Sequence, residues 1–338
     1  MSQPAARRWL DPRVAFGVLV SGLAVWWAFR GVPFGQLWKT LAGADLMVVV
    51  LPSFACFYAS IWVRALRWQH LAAGMGALPL APAYRATAIR FMANNIFPLR
   101  LGEFAGAWVV SRDVGGSPAA WFGTIVLERA FDMAAIMSLA IFLVADRIEL
   151  GALRYAAFVP MLGIAALRFW PKRLLALGHA VTRAVLPAKL ATRIDDLIVH
   201  VVAGLGGIRD ARGLALVICH TVLLWGVISP LPFLLAQRSL GIELGGAQAD
   251  FMGALMTMVG VGVAVALPQA PGFVGVYHVA CVTVLSALGV PQTLALAVGT
   301  LAHALFWISI NLLGVFALRG TTSSLSDALR GDQSPRSE

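Results

Sequence analysis

Apolar residues form long continuous runs that recur from one end of the chain to the other. Runs of roughly 18 or more apolar residues can cross a bilayer core of about 30 Å as a helix. Strands of a membrane barrel would alternate apolar and polar residues, and these runs do not. The pattern predicts an all-α, polytopic membrane helix bundle with six spans, at about 14–30, 45–69, 118–145, 152–170, 213–236 and 292–318.

Two further apolar regions, about 83–112 and 247–290, are interrupted by proline, glycine and polar residues. Interrupted apolar segments at corresponding positions of two halves are a sequence sign of a transporter binding site. We therefore predict two broken or re-entrant segments, related as an inverted repeat, with two ordinary kinked helices as the alternative. For 247–290 the sequence allows either two spans or one re-entrant hairpin.

Both interruptions contain the spacing Pro-x-x-x-Gly, from Pro98 to Gly102 and from Pro271 to Gly275. Proline cannot donate the hydrogen bond that continues a helix, and it disfavours helix at the preceding residue. Glycine permits a bend. We assign the helix breaks to Pro98, Gly102, Pro268 and Pro271.

The polar and small residues of the two interruptions are candidates for binding a substrate. Broken helix ends expose backbone groups and partial charge, and Arg100 near a helix N-terminus suits a phosphate. Gly275 would let backbone approach closely. His278 is either a hydrogen-bonded structural residue or a ligand, whereas His303 is interpreted as a packing or interhelical hydrogen-bonding residue. The candidate substrate-binding residues are Asn94, Asn95, Arg100, Glu103, Gly272, Gly275 and His278.

Three charged residues, Glu128, Arg129 and Asp132, lie near the middle of the third predicted span. Each such charge costs about 2.5–3.5 kcal/mol at the bilayer centre. Arg129 and Asp132 can pair at i,i+3 spacing, whereas Glu128 and Asp132 repel each other unless a further cation, Arg100 or Arg112, intervenes. The predicted ionic network of Arg112, Glu128, Arg129 and Asp132 either locks the first interruption to this helix or has a direct ligand or proton role.

Composition and charge agree with a membrane protein. Hydrophobic residues make up 59% of the chain and charged residues only 12%, against about 25% charged in a soluble domain. The net charge is +10, and the basic residues lie at the ends of apolar runs. We therefore exclude nucleic acid as a partner and apply the positive-inside rule. Basic residues near both termini, after the second span (Arg64, Arg67, Arg85 and Arg90) and in 172–212 then place both termini in the cytoplasm, with the chain in a bacterial inner membrane.

We predict one transmembrane domain over 1–319, with halves at about 1–170 and 213–319. Between the halves, at about 188–210, apolar residues recur at helical spacing opposite charged ones. This predicts a cytoplasmic amphipathic helix, which is either a simple connector or a moving gate. The tail at 320–338 is polar and Ser-rich, and we expect it to be disordered.

Three motifs together resemble the lysylphosphatidylglycerol synthase transmembrane-domain family. They are Asn95-Ile-Phe-Pro-Leu-Arg-Leu-Gly-Glu103, Glu128-Arg129-x-x-Asp132 and Pro271-Gly-x-x-Gly275. The resemblance covers about 10–318, and the motifs stand in the family's order. Two positions depart from the pattern: Phe273 replaces a second glycine of many members, and His278 replaces an acidic residue, so neither the acidic group's role nor the head-group preference is carried over.

The resemblance implies lipid translocation. The family includes the lipid-flipping half of the multiple peptide resistance factor, stand-alone flippase-like proteins and hopanoid-associated membrane proteins. Its synthase activity belongs to a soluble domain that follows the membrane part. About 20 residues follow the last predicted span here, too few for a catalytic domain, so we do not expect aminoacyl transfer.

The leading hypothesis is a flippase-like translocase for a polar-headed, anionic phospholipid or lipid-linked molecule. It would act without ATP, since no Gly-x-x-x-x-Gly-Lys-Ser/Thr motif occurs. The alternatives are an intramembrane lipid-modifying transferase, with Glu103, Glu128, Asp132 and His278 as an acid–base set, and a scaffold for a lipid-synthesis enzyme. We expect no enzyme activity, no cofactor and no metal. The expected partners are membrane lipids, a lipid-biosynthesis enzyme and a second copy of the chain.

Overall fold

The computed structural model describes residues 12–147, 151–170, 210–266 and 270–319, with scattered residues within 171–209. Within these residues the fold is all-α and contains no strand, as the hydrophobic pattern predicts. Three predicted features lie wholly or mostly outside the described residues: the amphipathic helix at 188–210, the break at Pro268 and the tail at 320–338.

The described residues form α-helices joined by short turns. In chain order these are α1 (Pro12–Phe29), α2 (Phe34–Ala42), α3 (Leu46–Leu71), α4 (Leu80–Ile96), α5 (Gly102–Val114), α6 (Pro118–Arg147), α7 (Val159–Phe169), α8 (Ala211–Leu223), α9 (Leu231–Ser239), α10 (Ala247–Ala264), α11 (Val276–Ala287) and α12 (Gln292–Arg319). Short 3-10 turns lie at Ala73–Met75, Pro98–Arg100, Gly151–Phe158 and Pro271–Phe273. A π-helical turn, Leu224–Ile228, lies between α8 and α9.

Four stretches of the described chain are long and apolar enough to cross a membrane: α3, Ala211–Ser239, α10 and α12. A fifth is Val18–Phe29 taken together with α2, although this pair is bent by 82°. The chain is therefore a multi-pass membrane protein. Helix α2 was not predicted, because its nine residues are too few to stand out as an apolar run; Gly31, with φ of +76°, and Pro33 separate it from α1.

Two predicted spans, 152–170 and 118–145, are not among the four long apolar helices. The segment 152–170 is not one α-helix, because Gly151–Phe158 is a 3-10 turn and only α7 is α-helical. Helix α6 is continuous over the predicted span at 118–145, but it carries the three central charges and is not among the four apolar helices. The region 247–290 contains two helices, α10 and α11, with a break between them.

The exposed side chains are those expected for contact with lipid. In the first turns of α3, Met47 and Leu51 are 82% and 70% exposed, whereas Arg67 of the same helix and Glu128 of α6 are fully buried. A soluble protein has the opposite distribution. Lipid accepts apolar side chains and disfavours charged ones, so this distribution supports membrane insertion.

The chain divides into two compact units. The first comprises the described residues of Met1–Ser60, Phe91–Gly102 and Leu224–Val315. The second comprises those of Ile61–Arg90, Glu103–Leu223 and Phe316–Glu338. Each unit draws segments from both halves that the sequence suggested, so the inverted repeat of two sequential halves stays a prediction.

Candidate functional site

The first helix break lies between α4 and α5. Phe97 has an extended backbone, with φ of −100° and ψ of 144°, and Pro98–Arg100 forms one 3-10 turn. Pro98 explains both features, because it lacks an N–H and disfavours helix at Phe97. Arg100 has φ of +54°, in the left-handed region that residues with side chains seldom adopt. Helix α5 then begins at Gly102, so the predicted break is present.

The second break, between α10 and α11, has a similar backbone. Ala270 is extended, with φ of −66° and ψ of 158°, and precedes the 3-10 turn Pro271–Phe273. Phe273 has φ of +63°, at the position that Arg100 occupies in the first Pro-x-x-x-Gly. Helix α11 begins directly after Gly275. The repeated spacing therefore gives both breaks an extended residue, a proline at the start of a 3-10 turn and a left-handed residue two positions after that proline. The breaks then differ, because Leu101 is helical whereas Val274 is extended.

The two breaks contact each other within the first unit. Arg100 Nη2 donates a hydrogen bond of 2.6 Å to the carbonyl oxygen of Val265, at the end of α10. Gly272 lies against the other break: a Cβ at this position would be 3.4 Å from the carbonyl oxygen of Asn95. Gly272 also has φ of +74°, so glycine suits the backbone conformation at this contact.

Asn95 brings an unsatisfied amide to this contact. Its side chain is 3% exposed, and neither Oδ1 nor Nδ2 has a hydrogen-bond partner among the described residues. A buried polar group without a partner costs about 1–3 kcal/mol, so stability alone does not explain it. Gln237 of α9 is also fully buried, and neither polar atom of its side chain has a hydrogen-bond partner among the described residues. Gln237 was not a candidate in the sequence analysis, because a single amide in an apolar helix carries no recognisable pattern.

Gly275 packs against α1. It has φ of +89°, and a Cβ here would lie 2.5 Å from the carbonyl oxygen of Ser21 and 3.0 Å from the backbone nitrogen of Val25. Ser21 Oγ also accepts a hydrogen bond of 2.8 Å from the N–H of Ala270. The close backbone approach predicted at Gly275 is therefore an approach to α1, which holds the second break in place.

Two histidines lie beside the second break. His278 of α11 and His303 of α12 are both buried, and their ring centroids are 5.2 Å apart with nearly perpendicular planes. His303 Nε2 is 2.7 Å from the carbonyl oxygen of Gly272. Because a carbonyl only accepts, Nε2 carries the proton, and the interpretation of His303 as an interhelical hydrogen-bonding residue is confirmed. Tyr277 stacks on His303 at 4.6 Å.

The second unit contains a buried cluster of ion pairs, here called the ion cluster. Its members are Arg64, Arg67, Arg90, Glu103, Glu128, Arg129 and Asp132. Arg67 Nη2 lies between the two carboxylates of α6, 2.8 Å from Asp132 Oδ1 and 3.3 Å from Glu128 Oε1. Arg67 Nη1 also donates to Thr221 Oγ1 of α8 at 3.0 Å. A cation between the carboxylates offsets their mutual repulsion.

The remaining pairs join three further arginines to the same carboxylates. Arg64 Nη1 is 3.3 Å from Asp132 Oδ2. Arg90 of α4 donates to both oxygens of Glu128, at 2.8 and 2.9 Å. Arg129 pairs with Asp132 at 3.2 Å, as the i,i+3 spacing predicts.

Glu103, at the start of α5, belongs to the ion cluster. Its carboxylate is 3.6 Å from Arg90 and 3.7 Å from Arg129. Glu103 was predicted to bind substrate together with the polar residues of the first break, but its observed partners are these two arginines. The ion cluster therefore joins side chains from α3, α4, α5 and α6.

The ion cluster corrects the predicted source of the bridging cation. That cation is Arg67, whereas the sequence suggested Arg100 or Arg112. Arg100 lies in the first unit, and the guanidinium of Arg112 lies over the ring of Trp108 at 5.1 Å. The sequence did contain a signal for this pairing. Buried carboxylates need cations, and α3 carries two arginines at i,i+3 spacing within an apolar run.

The ion cluster also corrects the set of basic residues assigned to the connection after the second span. Arg64, Arg67 and Arg90 were assigned to a cytoplasmic connection, but they are buried within α3 and α4. They give no information on which side of the membrane that connection lies. The basic residues of 172–212 and of the two termini still favour cytoplasmic termini.

The chemistry available at these places is that of hydrogen bonding and charge. Among the described residues no group of three or more His, Cys, Asp and Glu side chains could hold a metal ion. The first unit supplies interrupted backbone, neutral polar side chains and the guanidinium of Arg100. The second supplies paired charges. Such groups can recognise a polar or anionic head in an apolar surrounding.

Comparison with known proteins gives a family. The family described as the lysylphosphatidylglycerol synthase TM region matches residues 14–314, which include both helix breaks and the ion cluster. No curated protein and no solved structure matches the chain. The family points to a role connected with membrane lipid. With most of its length matched, the chain belongs to the lysylphosphatidylglycerol synthase TM-region family.

Proposed function

We propose that this protein moves a polar-headed, anionic lipid between the two leaflets of the membrane without ATP. The observation that carries the proposal is the contact between two broken helices in the first unit, through Arg100 with Val265 and Gly272 with Asn95. A lipid head needs polar groups along its route while its tails stay in lipid. Broken helices supply backbone donors and acceptors for such a route in an otherwise apolar assembly.

Arg100 is the group we propose for the anionic part of the head. Its side chain is exposed, and Nη2 uses one direction for the Val265 carbonyl. A guanidinium is a planar fork of N–H donors whose geometry matches two phosphate oxygens. The buried amide of Asn95 adds a neutral donor and acceptor at the same contact. These two residues were among those predicted from the sequence to bind substrate.

We propose transport without chemical change of the lipid. An intramembrane transferase needs a group poised to exchange a proton with its substrate. The three candidate carboxylates, Glu103, Glu128 and Asp132, instead lie in ion pairs with arginines. This pairing favours a structural role for the carboxylates, and it favours the translocase over the transferase.

We further propose a bacterial inner-membrane location with both termini in the cytoplasm. The basic stretches near the N-terminus, in 172–212 and at Arg319 support this orientation. Cysteine-accessibility labelling at positions 148 and 190 tests it: external labelling at 148 alone agrees with the proposal, and external labelling at 190 contradicts it.

The functional test is lipid exchange between leaflets in reconstituted vesicles. Vesicles would contain a head-labelled phosphatidylglycerol, or a head-labelled phosphatidylcholine for comparison, and an external quencher would report the inner fraction. Hydrogen bonds to a charged group contribute about 1.5–3 kcal/mol, so R100Q should slow exchange of the anionic probe by about tenfold or more. R238Q is the matched control, because Arg238 is an exposed arginine of the same unit.

Two further measurements complete the test. Thermal unfolding of R100Q shows whether the lost bond to Val265 has altered the fold. Mass spectrometry of the lipid before and after incubation detects chemical change. Absence of exchange in the wild-type protein, or equal exchange in R100Q and R238Q, contradicts the proposal, and a modified lipid would favour the transferase.

A further inference from the structure

The C-terminal helices contain very few groups that can bind a proton. Between Asp250 and Arg319 the sequence has no Asp, Glu, Lys or Arg. Histidine is the side chain whose ordinary titration falls near neutral pH, and this stretch has two, His278 and His303. They are 25 positions apart in sequence, on different helices, yet their rings are in contact. Two histidines in such an apolar stretch need not meet, so the contact suggests a site.

Either ring has a nitrogen that can take up an added proton. His303 uses Nε2–H for the Gly272 carbonyl, which leaves its Nδ1 as an acceptor when the ring is neutral. His278 Nδ1 has no hydrogen-bond partner among the described residues. One proton can therefore be taken up by either ring. A second is disfavoured, because two imidazolium groups at a centroid separation of 5.2 Å repel each other.

The surroundings of the pair are almost uncharged. Phe29 of α1 lies 5.8 Å from His278, and Phe233 of α9 stacks on Tyr277, which itself stacks on His303. Cys281 is on the same helix as His278 and near Gly299 of α12. The other titratable or charged side chains on the elements packed around the pair, in the described part of the first unit, are Arg30, Cys56, Tyr58, Arg100, Arg238 and Asp250.

These charged groups have other contacts. Arg100 donates to Val265, Arg238 is 3.8 Å from Asp250, and Arg30 lies over the ring of Trp26. Asp250 also accepts a hydrogen bond from the backbone N–H of Leu244. Among the described residues no carboxylate forms an ion pair with either histidine, so the charge of an added proton would stay on the pair itself.

We propose that His278 and His303 form a proton-binding site that couples lipid translocation to a pH gradient. The inference rests on the proposed translocase function and names its coupling ion. Protonation of His303 turns its bond to Gly272 into a charge-assisted one, which is stronger and shorter. Gly272 lies at the contact between the two breaks, so the proton acts on the backbone that faces Asn95. One proton is taken up from one side and released to the other in each cycle, and no covalent bond or electron is transferred.

The test uses the same vesicles under an imposed pH gradient of either direction. A coupled site should change the rate of exchange of labelled phosphatidylglycerol by about fivefold or more in one direction, a typical lower bound for linked binding. The variants H278Q and H303Q cannot hold the proton. In H303Q the new amide nitrogen can still donate to the Gly272 carbonyl, which separates proton binding from the structural hydrogen bond.

The chain offers a matched control in a second histidine pair. His70 and His220 stack at 5.7 Å in the second unit, so H70Q removes a comparable ring that the proposal does not use. We expect H70Q to keep the response to the gradient, and H278Q and H303Q each to lose it, measured as the ratio of the rates with and without a gradient. Either glutamine variant is sufficient if the other is not monodisperse.

The outcomes separate the two proposals. Wild-type protein that exchanges lipid at the same rate with and without a gradient overturns the coupling and leaves the translocase intact. Wild-type protein that does not exchange lipid under any condition overturns the translocase function and the coupling together. A full response in H278Q or H303Q, or loss of the response in H70Q alone, overturns the assignment of the proton site to this pair.

Discussion

The buried polar side chains of the two units differ in charge. In the second unit four arginines and three carboxylates form the ion cluster, at distances from 2.8 to 3.8 Å. In the first unit the buried polar side chains are mostly neutral. Several of their atoms have no hydrogen-bond partner among the described residues, on Ser53, Asn95, Gln237 and His278.

This difference suggests a division of roles. Removing one charge from the ion cluster disturbs several buried pairs at once, so the cluster resists change and suits a fixed support for α3 to α6. An unpaired neutral group costs less to bury and can accept a passing ligand, since the ligand supplies the missing bond. The first unit is therefore where we place the lipid head and the proton.

The largest effect is expected from breaking the ion cluster. R67A leaves both Glu128 and Asp132 without their bridging cation and should lower the free energy of unfolding by about 3–5 kcal/mol. The control is R85A, because Arg85 pairs with Asp113 at 2.9 Å but its side chain is 29% exposed. That more exposed pair should contribute about 0–1 kcal/mol. Denaturant unfolding in detergent measures both, and equal stability of the two variants would contradict a tightly coupled cluster.

The helices could be predicted largely from the sequence, because long apolar runs have few stable alternatives in a membrane. The runs that became α1, α3 and α12 were located within a few residues. The failures were local. Helix α2 is too short to show a run, and Gly151–Phe158 is apolar enough to imitate part of a span although it forms a 3-10 turn.

The candidate site could be predicted only in part. The breaks followed from Pro98 and Pro271, because proline acts on its own backbone and its effect can be read locally. The partners of Glu128 and Asp132 could not be read locally, since Arg67 lies 61 positions before Glu128 in sequence. Which side chains meet across helices depends on packing, and no spacing within one helix encodes it.

The next largest effect is expected at Gly275. It tests whether close backbone packing, and not an ion pair, holds the second break in place. G275A should destabilise by about 2–4 kcal/mol, from left-handed strain of about 1–2 kcal/mol and overpacking against α1. G289A is the control: Gly289 has φ of +86°, close to the +89° of Gly275, but a Cβ there meets nothing within 4 Å. The difference between the two unfolding free energies measures the contribution of the contact with α1. Equal unfolding free energies would show that this contact contributes nothing.

A smaller effect is expected from the single hydrogen bond that ties α1 to the second break. S21A removes the acceptor of the Ala270 N–H and should cost about 0.5–1.5 kcal/mol. S60A is the comparison, since Ser60 Oγ donates to the Phe57 carbonyl within its own helix; its loss should stay within about 0.5 kcal/mol. Thermal unfolding of both variants under one condition measures this. A larger loss of stability in S60A than in S21A would contradict a stabilising role of the Ser21–Ala270 hydrogen bond.

The smallest change in stability, with the sharpest functional consequence, is expected for N95L. Replacing an unsatisfied buried amide by an apolar group of similar size should alter the unfolding free energy by no more than about 1 kcal/mol, in either direction. Exchange of labelled phosphatidylglycerol should nevertheless fall, because the route loses a polar group beside Gly272. N311L is the matched variant: Asn311 Nδ2 donates to the Trp307 carbonyl in its own helix, and its loss should leave exchange near wild type. If N95L instead destabilised the protein as strongly as R67A, the amide would have a structural partner, and the first unit would not offer this neutral group to a lipid head.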